Sequence, residues 1–204
     1  MKPSILSRVT LIQLYEQGNS MVEIAQTLRC SPHKIVYWMD KYEIKRRSRS
    51  EALYRKRNPF GDPFLIKQNL NEKDIFLYGL GLGIYWGEGE KVSKYSIRVA
   101  NTDPYILILF SDFLQKICGV KKEKMTFSLV CFNDSDPIKA KNYWAKMLGI
   151  SDKKFGKIVI IPKQGKGVYK RKSQFGVCTI TVSNIKLKLW IMQELNKLKT
   201  ADIV

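Results

Sequence analysis

The stretch IFLYGLGLGIYWGEGE, residues 75–90, decides the reading of the larger part of this chain. Residues 72–87 are apolar nearly all round, through Ile75, Phe76, Leu77, Leu80, Leu82, Ile84, Tyr85 and Trp86. That pattern predicts a helix with apolar neighbours on most sides. Gly79, Gly81, Gly83 and Gly87 sit inside it. Each glycine costs a helix about 1 kcal/mol against alanine. Such a cost is tolerated where another backbone or a ligand must approach closely. The stretch ends in Gly87-Glu88-Gly89-Glu90, an acidic pair at the foot of an apolar helix. Its longest strongly apolar run, Ile75–Trp86, is shorter than the ~20 residues a bilayer crossing needs, so no transmembrane helix is expected.

Downstream, strands and helices mix. Tyr95–Ala100 alternates like a strand, and Asp103-Pro104 opens a helix to about Ile117. Met125–Phe132 is strongly β-prone. Asp136-Pro137 opens a helix through Leu148, and residues 184–198 close the chain with another. Ile158–Ile161 and Val177–Val182 read as a strand pair, with a basic tip carrying Lys163, Lys166, Lys170, Arg171 and Lys172. The order is mixed α+β, not the strict alternation of a doubly wound sheet.

Upstream, residues 8–17 read as a helix stopped by Gly18-Asn19. Ser20 and Glu23 form a capping box for a second helix, with Met21, Ile24, Ala25 and Leu28 on one face. Ser31 is an N-cap with Pro32 at the first helical position of a third helix, residues 32–42. The segment EIAQTLRCSPHKIVYWM, residues 23–39, resembles the helix-turn-helix motif: small Ala25 at the helix crossing, a brief turn, then Ile35 and Met39 facing inward. The third helix would then be the recognition helix, offering His33, Lys34, Tyr37 and Lys41 to base edges and phosphates. Residues 45–57, KRRSRSEALYRKR, follow as a basic arm in which Arg46, Arg47 and Arg49 could track phosphates or enter the minor groove. Pro59, Gly61 and Pro63 then mark a boundary.

Charge points the same way. Thirty-six Lys and Arg stand against 18 acids in 204 residues, a formal net charge of +18. Basic residues exceed acidic ones both before and after residue 70. A polyanionic partner suits that balance, with duplex DNA the first expectation and RNA the second. The first ten residues lack an apolar core with a small-residue cleavage site, so no secretory signal and a cytoplasmic location are expected. The four cysteines are widely spaced and read as buried free thiols; with one histidine, a zinc site has little to draw on. No P-loop pattern occurs, and His33 alone cannot build a Ser-His-Asp arrangement.

GLGIYWGEG, Gly81–Gly89, resembles the motif of the LAGLIDADG homing endonucleases. Gly83 falls on its central glycine, Ile84 on the following apolar residue, Gly87 on its small residue, Glu88 on its acid and Gly89 on its last glycine. Gly81 replaces the usual apolar first residue. The resemblance implies a helix packed against a second copy, strands forming a saddle over DNA, and Glu88 as ligand to a divalent metal, Mg²⁺. It further implies Asn101, at the end of the first strand, and Lys186, entering the last helix, as catalytic neighbours. Glu90 lies beyond the motif's last glycine; were residues 75–86 simply a buried core helix, Glu88 and Glu90 would both be solvated charges after its end. Only one motif copy is visible, which implies a homodimer through the 72–87 helix, or else a degenerate second half within residues 136–198. The helix at 136–148 exceeds the minimal unit of the family.

The sequence therefore predicts an α+β protein. A helix-turn-helix three-helix domain with its basic arm spans residues 1–57, a linker 58–70, and a LAGLIDADG-like mixed α/β saddle domain 71–204. Site-specific DNA binding with metal-dependent phosphodiester cleavage is the leading function. A non-cleaving transcriptional regulator on the same fold and an RNA-binding intron maturase are the alternatives.

Overall fold

A computed structural model describes residues 5–132, 135–156, 158–162 and 173–200 of the chain. It is mixed α+β and divides after Pro63 into two compact units, each with its own apolar core.

The first unit is helical: α1 Arg8–Glu16, α2 Met21–Thr27, α3 Pro32–Lys41 and α4 Arg49–Arg57. Ser20 and Glu23 form the expected capping box, and the Ser31 hydroxyl accepts the Lys34 N–H at 3.3 Å. α2 and α3 both end in the six-to-one bond of a Schellman motif, Cys30 N–H to Ala25 O at 2.9 Å and Ile44 N–H to Met39 O at 2.8 Å. Arg29 and Glu43 take the left-handed conformation these turns require, with φ of 49° and 55°. Leu11, Tyr15, Ile24, Ala25, Ile35 and Met39 make the core, joined by Trp38, which the stripe of expected positions had missed.

The basic stretch is not an extended arm. From Arg49 it is α4, started by a Ser48–Glu51 capping box that the density of positive charge obscures in the sequence. The Arg55 guanidinium donates to Glu16 O at 3.0 Å, tying α4 to the end of α1.

The second unit already begins at Phe64. Leu65 and Lys67 N–H donate to the carbonyls of Cys118 and Ile117, so part of the 58–70 stretch is fastened to this unit. Its elements are α5 Glu72–Glu88, β1 Ile97–Asn101, α6 Pro104–Asp112, β2 Thr126–Phe132, α7 Pro137–Leu148, β3 Val159–Ile161, β4 Val177–Val182 and α8 Ile185–Thr200. α6 runs on as a π-helical turn, Phe113–Ile117, closed by Cys118 N–H to Phe113 O. The widened turn seats Phe113 where a Cβ on Gly81 would otherwise stand, so this glycine admits a neighbouring ring within the unit.

The sheet order is β1-β4-β2-β3. This corrects the expected β3–β4 pair: β2 lies between them. β4 is antiparallel to β1 and β2, and β3 is parallel to β2 with Val130 opposite Val159. Parallel neighbours need a long crossover, and α7 is that crossover, which explains the helix that exceeded the minimal unit. β3 and β4 are therefore not a hairpin of adjacent strands, and residues 163–172, where the basic tip was expected, lie outside those described. Alternation directs Ile97, Val99, Phe127, Leu129, Cys178 and Ile180 into the core. Arg98, Ala100, Thr126, Ser128 and Thr181 lie on the other face. The fully buried Trp144 of α7 donates its indole N–H to Phe175 O at 2.8 Å.

Candidate functional site

Two places in the chain gather the expected functional residues. In the first unit, α3 presents His33, Tyr37 and Lys41 as exposed and Lys34 as half-buried. The Lys41 ammonium sits 4.7 Å above the Trp38 ring and 6.0 Å from that of Tyr37, so an aromatic surface holds this cation in place. Among the basic residues after α3, Arg46 pairs with Asp40 at 3.5 Å. The Arg47 guanidinium lies 3.8 Å from the Tyr15 ring centre, and its backbone N–H donates to Tyr15 Oη. Arg47 thus has work inside the unit, and Arg49 is exposed in the first turn of α4. Lys163, Lys166, Lys170, Arg171 and Lys172 lie outside the described residues.

In the second unit the expected metal ligand, Glu88, stands at the foot of α5. Glu88 is the last helical residue and is exposed. Gly89 follows, buried, with its N–H on Tyr85 O at 2.9 Å; a Cβ there would overlap that carbonyl and the Tyr85 ring. Gly89 bridges antiparallel to Val99, and Glu90 N–H donates to Arg98 O. The end of α5 is thereby stitched to β1, with the register running from Glu90 back past Glu88 toward Ala100 and Asn101. The Asn101 side-chain oxygen accepts the Asp103 N–H at 2.9 Å. Lys186 is exposed in the first turn of α8. Asn101 pairs with Cys178 and Ile97 with Val182, so Asn101 and the entry to α8 leave the sheet at opposite ends, about 14 Å of strand apart. The expected trio is therefore not one cluster: Asn101 falls at one end of β1 and Lys186 beyond the other.

Sequence reasoning missed Lys188. It is 3% exposed, and its ammonium donates to Tyr85 Oη and, at 2.7 Å, to Glu90 O. Tyr85 in turn donates its O–H to the same carbonyl. Burial lowers the Lys188 pKa, the nearby Glu90 charge opposes that, and Lys91 adds to it. Burial pushes the Tyr85 hydroxyl up to about 12, so it keeps the proton it donates. Glu90 is not a solvated charge after the helix. One of its carboxylate oxygens accepts the Ser93 N–H at 2.7 Å, and Oε2 is buried with no hydrogen-bond partner among the described residues. A signal for Lys188 was available: it lies at helical spacing from Ile191 and Leu195, on the face that packs inward, whereas Lys186 does not.

The opposite side of α5 is open. Among the described residues a Cβ on Gly79, Gly83 or Gly87 would meet nothing within 4 Å, and Ile75, Phe76 and Trp86 are exposed beside them. Among the described residues no three His, Cys, Asp or Glu side chains gather as a metal site. Magnesium is commonly held by one or two carboxylates with water and substrate phosphates making up its shell. The exposed Glu88 fits that donor set as one such carboxylate. No helix among the described residues is long and apolar enough to cross a membrane. Comparison with family models, with curated proteins and with solved structures finds no match in any of the three.

Proposed function

We propose that the chain is a site-specific DNA-binding protein that cleaves duplex DNA in the manner of a LAGLIDADG endonuclease, its first unit serving as a helix-turn-helix reader. The observation that carries the reading is the two-sided build of α5. One side, through Gly81 and Phe113, is locked into the core; the other keeps three glycines uncovered among the described residues; and the helix ends on the exposed Glu88, one residue before the backbone bridge from Gly89 to Val99. A second copy laid along Gly79, Gly83 and Gly87 would bring two Glu88 residues together, one for each DNA strand.

In this reading α3 enters the major groove, with Lys34 and Lys41 on phosphates and His33 and Tyr37 at base edges. The hydroxyl-bearing face of the sheet, with Arg98, Thr126, Ser128 and Thr181, forms the saddle that follows the backbone. Glu88 would hold the Mg²⁺ ion, which when bound polarises the scissile phosphate as a Lewis acid. Lys186, exposed at the start of α8, supplies positive charge for the phosphate chain as it passes.

The test incubates the protein with randomised duplex DNA and Mg²⁺ and sequences the bound and cut fractions. Wild type is expected to enrich one site and cut it. Glu88→Gln should bind that site at least as well and cut it slower by orders of magnitude, since the metal supplies several kcal/mol of charge stabilisation. A site bound but never cut, with Mg²⁺ or Mn²⁺, replaces this reading with that of a regulator. Preference for structured intron RNA over duplex replaces it with that of a maturase.

A further inference from the structure

We propose that Lys188 is the positioning residue of the Glu88 site, fixing from α8 the turn by which α5 passes into β1. The proposal rests on the reading of Glu88 given above and adds to it a residue that the motif does not contain.

A buried ammonium persists only where acceptors and a counter-charge replace its water. Here the acceptors are the Tyr85 hydroxyl and the Glu90 carbonyl, and the Glu90 carboxylate supplies the charge. All these groups belong to the end of α5 and the two residues after it. Tyr85 lies one turn before Glu88, and Glu90 lies two residues after. The O–H of Tyr85 closes a triangle by donating to the carbonyl that Lys188 also holds. Glu88 is thus suspended between two anchors that one side chain from another helix grips together. Gly89, the residue between Glu88 and Glu90, has no side chain to brace the turn, because any Cβ would strike Tyr85. The brace must come from outside.

The grip is directional. Tyr78, two turns earlier on α5, donates to Glu194, farther along α8. The pairs Tyr78–Glu194 and Tyr85–Lys188 make the two helices antiparallel, joined by polar links about 10 Å apart. Lys188 is the link nearest the exposed carboxylate. Lys186, two residues earlier, points off this face. The lysine on which the site depends is therefore Lys188.

The experiment uses the full-length protein with Lys188→Met, Lys188→Arg and Tyr85→Phe. At saturating duplex, single-turnover cutting by Lys188→Met should fall about 10–100-fold, as removal of an orienting group behind a metal ligand does, while duplex affinity stays near wild type. Lys188→Arg keeps the charge and donors and should restore most of the rate. Tyr85→Phe, which leaves the lysine in place, should lose rate in the same direction and covers the case in which Lys188→Met does not fold. Amide hydrogen exchange gives a readout that needs no cutting. The Glu90 N–H, held on Arg98 O, should lose about tenfold or more of its protection in Lys188→Met and Tyr85→Phe and regain it in Lys188→Arg. If wild type never cuts but exchange follows this pattern, the positioning role stands and the nuclease reading falls. Unchanged exchange at Glu90, or arginine no better than methionine, overturns the proposal.

Discussion

Gly81, Gly83 and Gly89 look alike in the sequence and face three different surroundings. Gly81 makes room for Phe113, Gly89 for the Tyr85 carbonyl, and Gly83 for nothing among the described residues. Gly89→Ala should therefore destabilise the second unit by about 1–3 kcal/mol, the ordinary cost of forcing a methyl into packed atoms. Gly83→Ala should leave stability unchanged or raise it by up to about 1 kcal/mol through helix propensity. Urea unfolding separates the two; equal losses would mean that the Gly83 face is covered within the chain. Gly83→Leu adds the contrast that matters for function: an intact fold by circular dichroism, and loss of self-association by sedimentation where α5 is a seam. At this scale the sequence was half legible. The glycine spacing revealed that something approaches α5 closely, but not that one glycine of the set serves the core and others an open side. Lys188 was missed because charged residues are ordinarily solvated, and only the tertiary contact between α5 and α8 buries it beside Glu90.

Local elements were the most legible part. Ser20 with Glu23, Ser31 with Pro32, Asp103 with Pro104 and Asp136 with Pro137 each start a helix where their short-range chemistry says they should. Capping is decided within four residues, so the sequence carries it whole. Strand pairing is not local. β3 and β4 are neighbours along the chain, yet β2 stands between them, and nothing in the three residues of β3 announces a parallel partner. The turn between α2 and α3 offers a prediction at this scale. Arg29 holds a left-handed φ of 49° at the position where helices favour glycine. Arg29→Gly should stabilise the first unit by up to about 1 kcal/mol, by relieving the clash between Cβ and backbone. Thermal unfolding of wild type and variant decides it; a lower melting temperature would mean that the Arg29 side chain contributes more than its backbone strain removes.

At the scale of the molecule, charge and division into units act together. On the proposed reading, a chain with net charge +18 and two separate cores spreads its hold on phosphates over both units. Each phosphate neutralised releases condensed counterions, and about six of them give a slope of log affinity on log salt near −5. Removing the first unit should flatten the slope by about one for each phosphate that unit had neutralised, weaken duplex binding, and leave cutting at high protein concentration. Where the chain is shortened matters. Leu65 and Lys67 are bonded to the carbonyls of Cys118 and Ile117, and Phe64, Ile66 and Leu70 pack on the second core. A fragment starting at residue 64 should therefore fold with a single cooperative transition. One starting at residue 71 should lack that strap and melt at a lower temperature. Salt titration of both fragments beside the full chain reads the two effects independently, because absence of the strap lowers stability while the cations on the rest of the unit stay as they are. A full-length slope shallower than about −2 would leave too few neutralised phosphates for the charge of this chain to be what binds DNA.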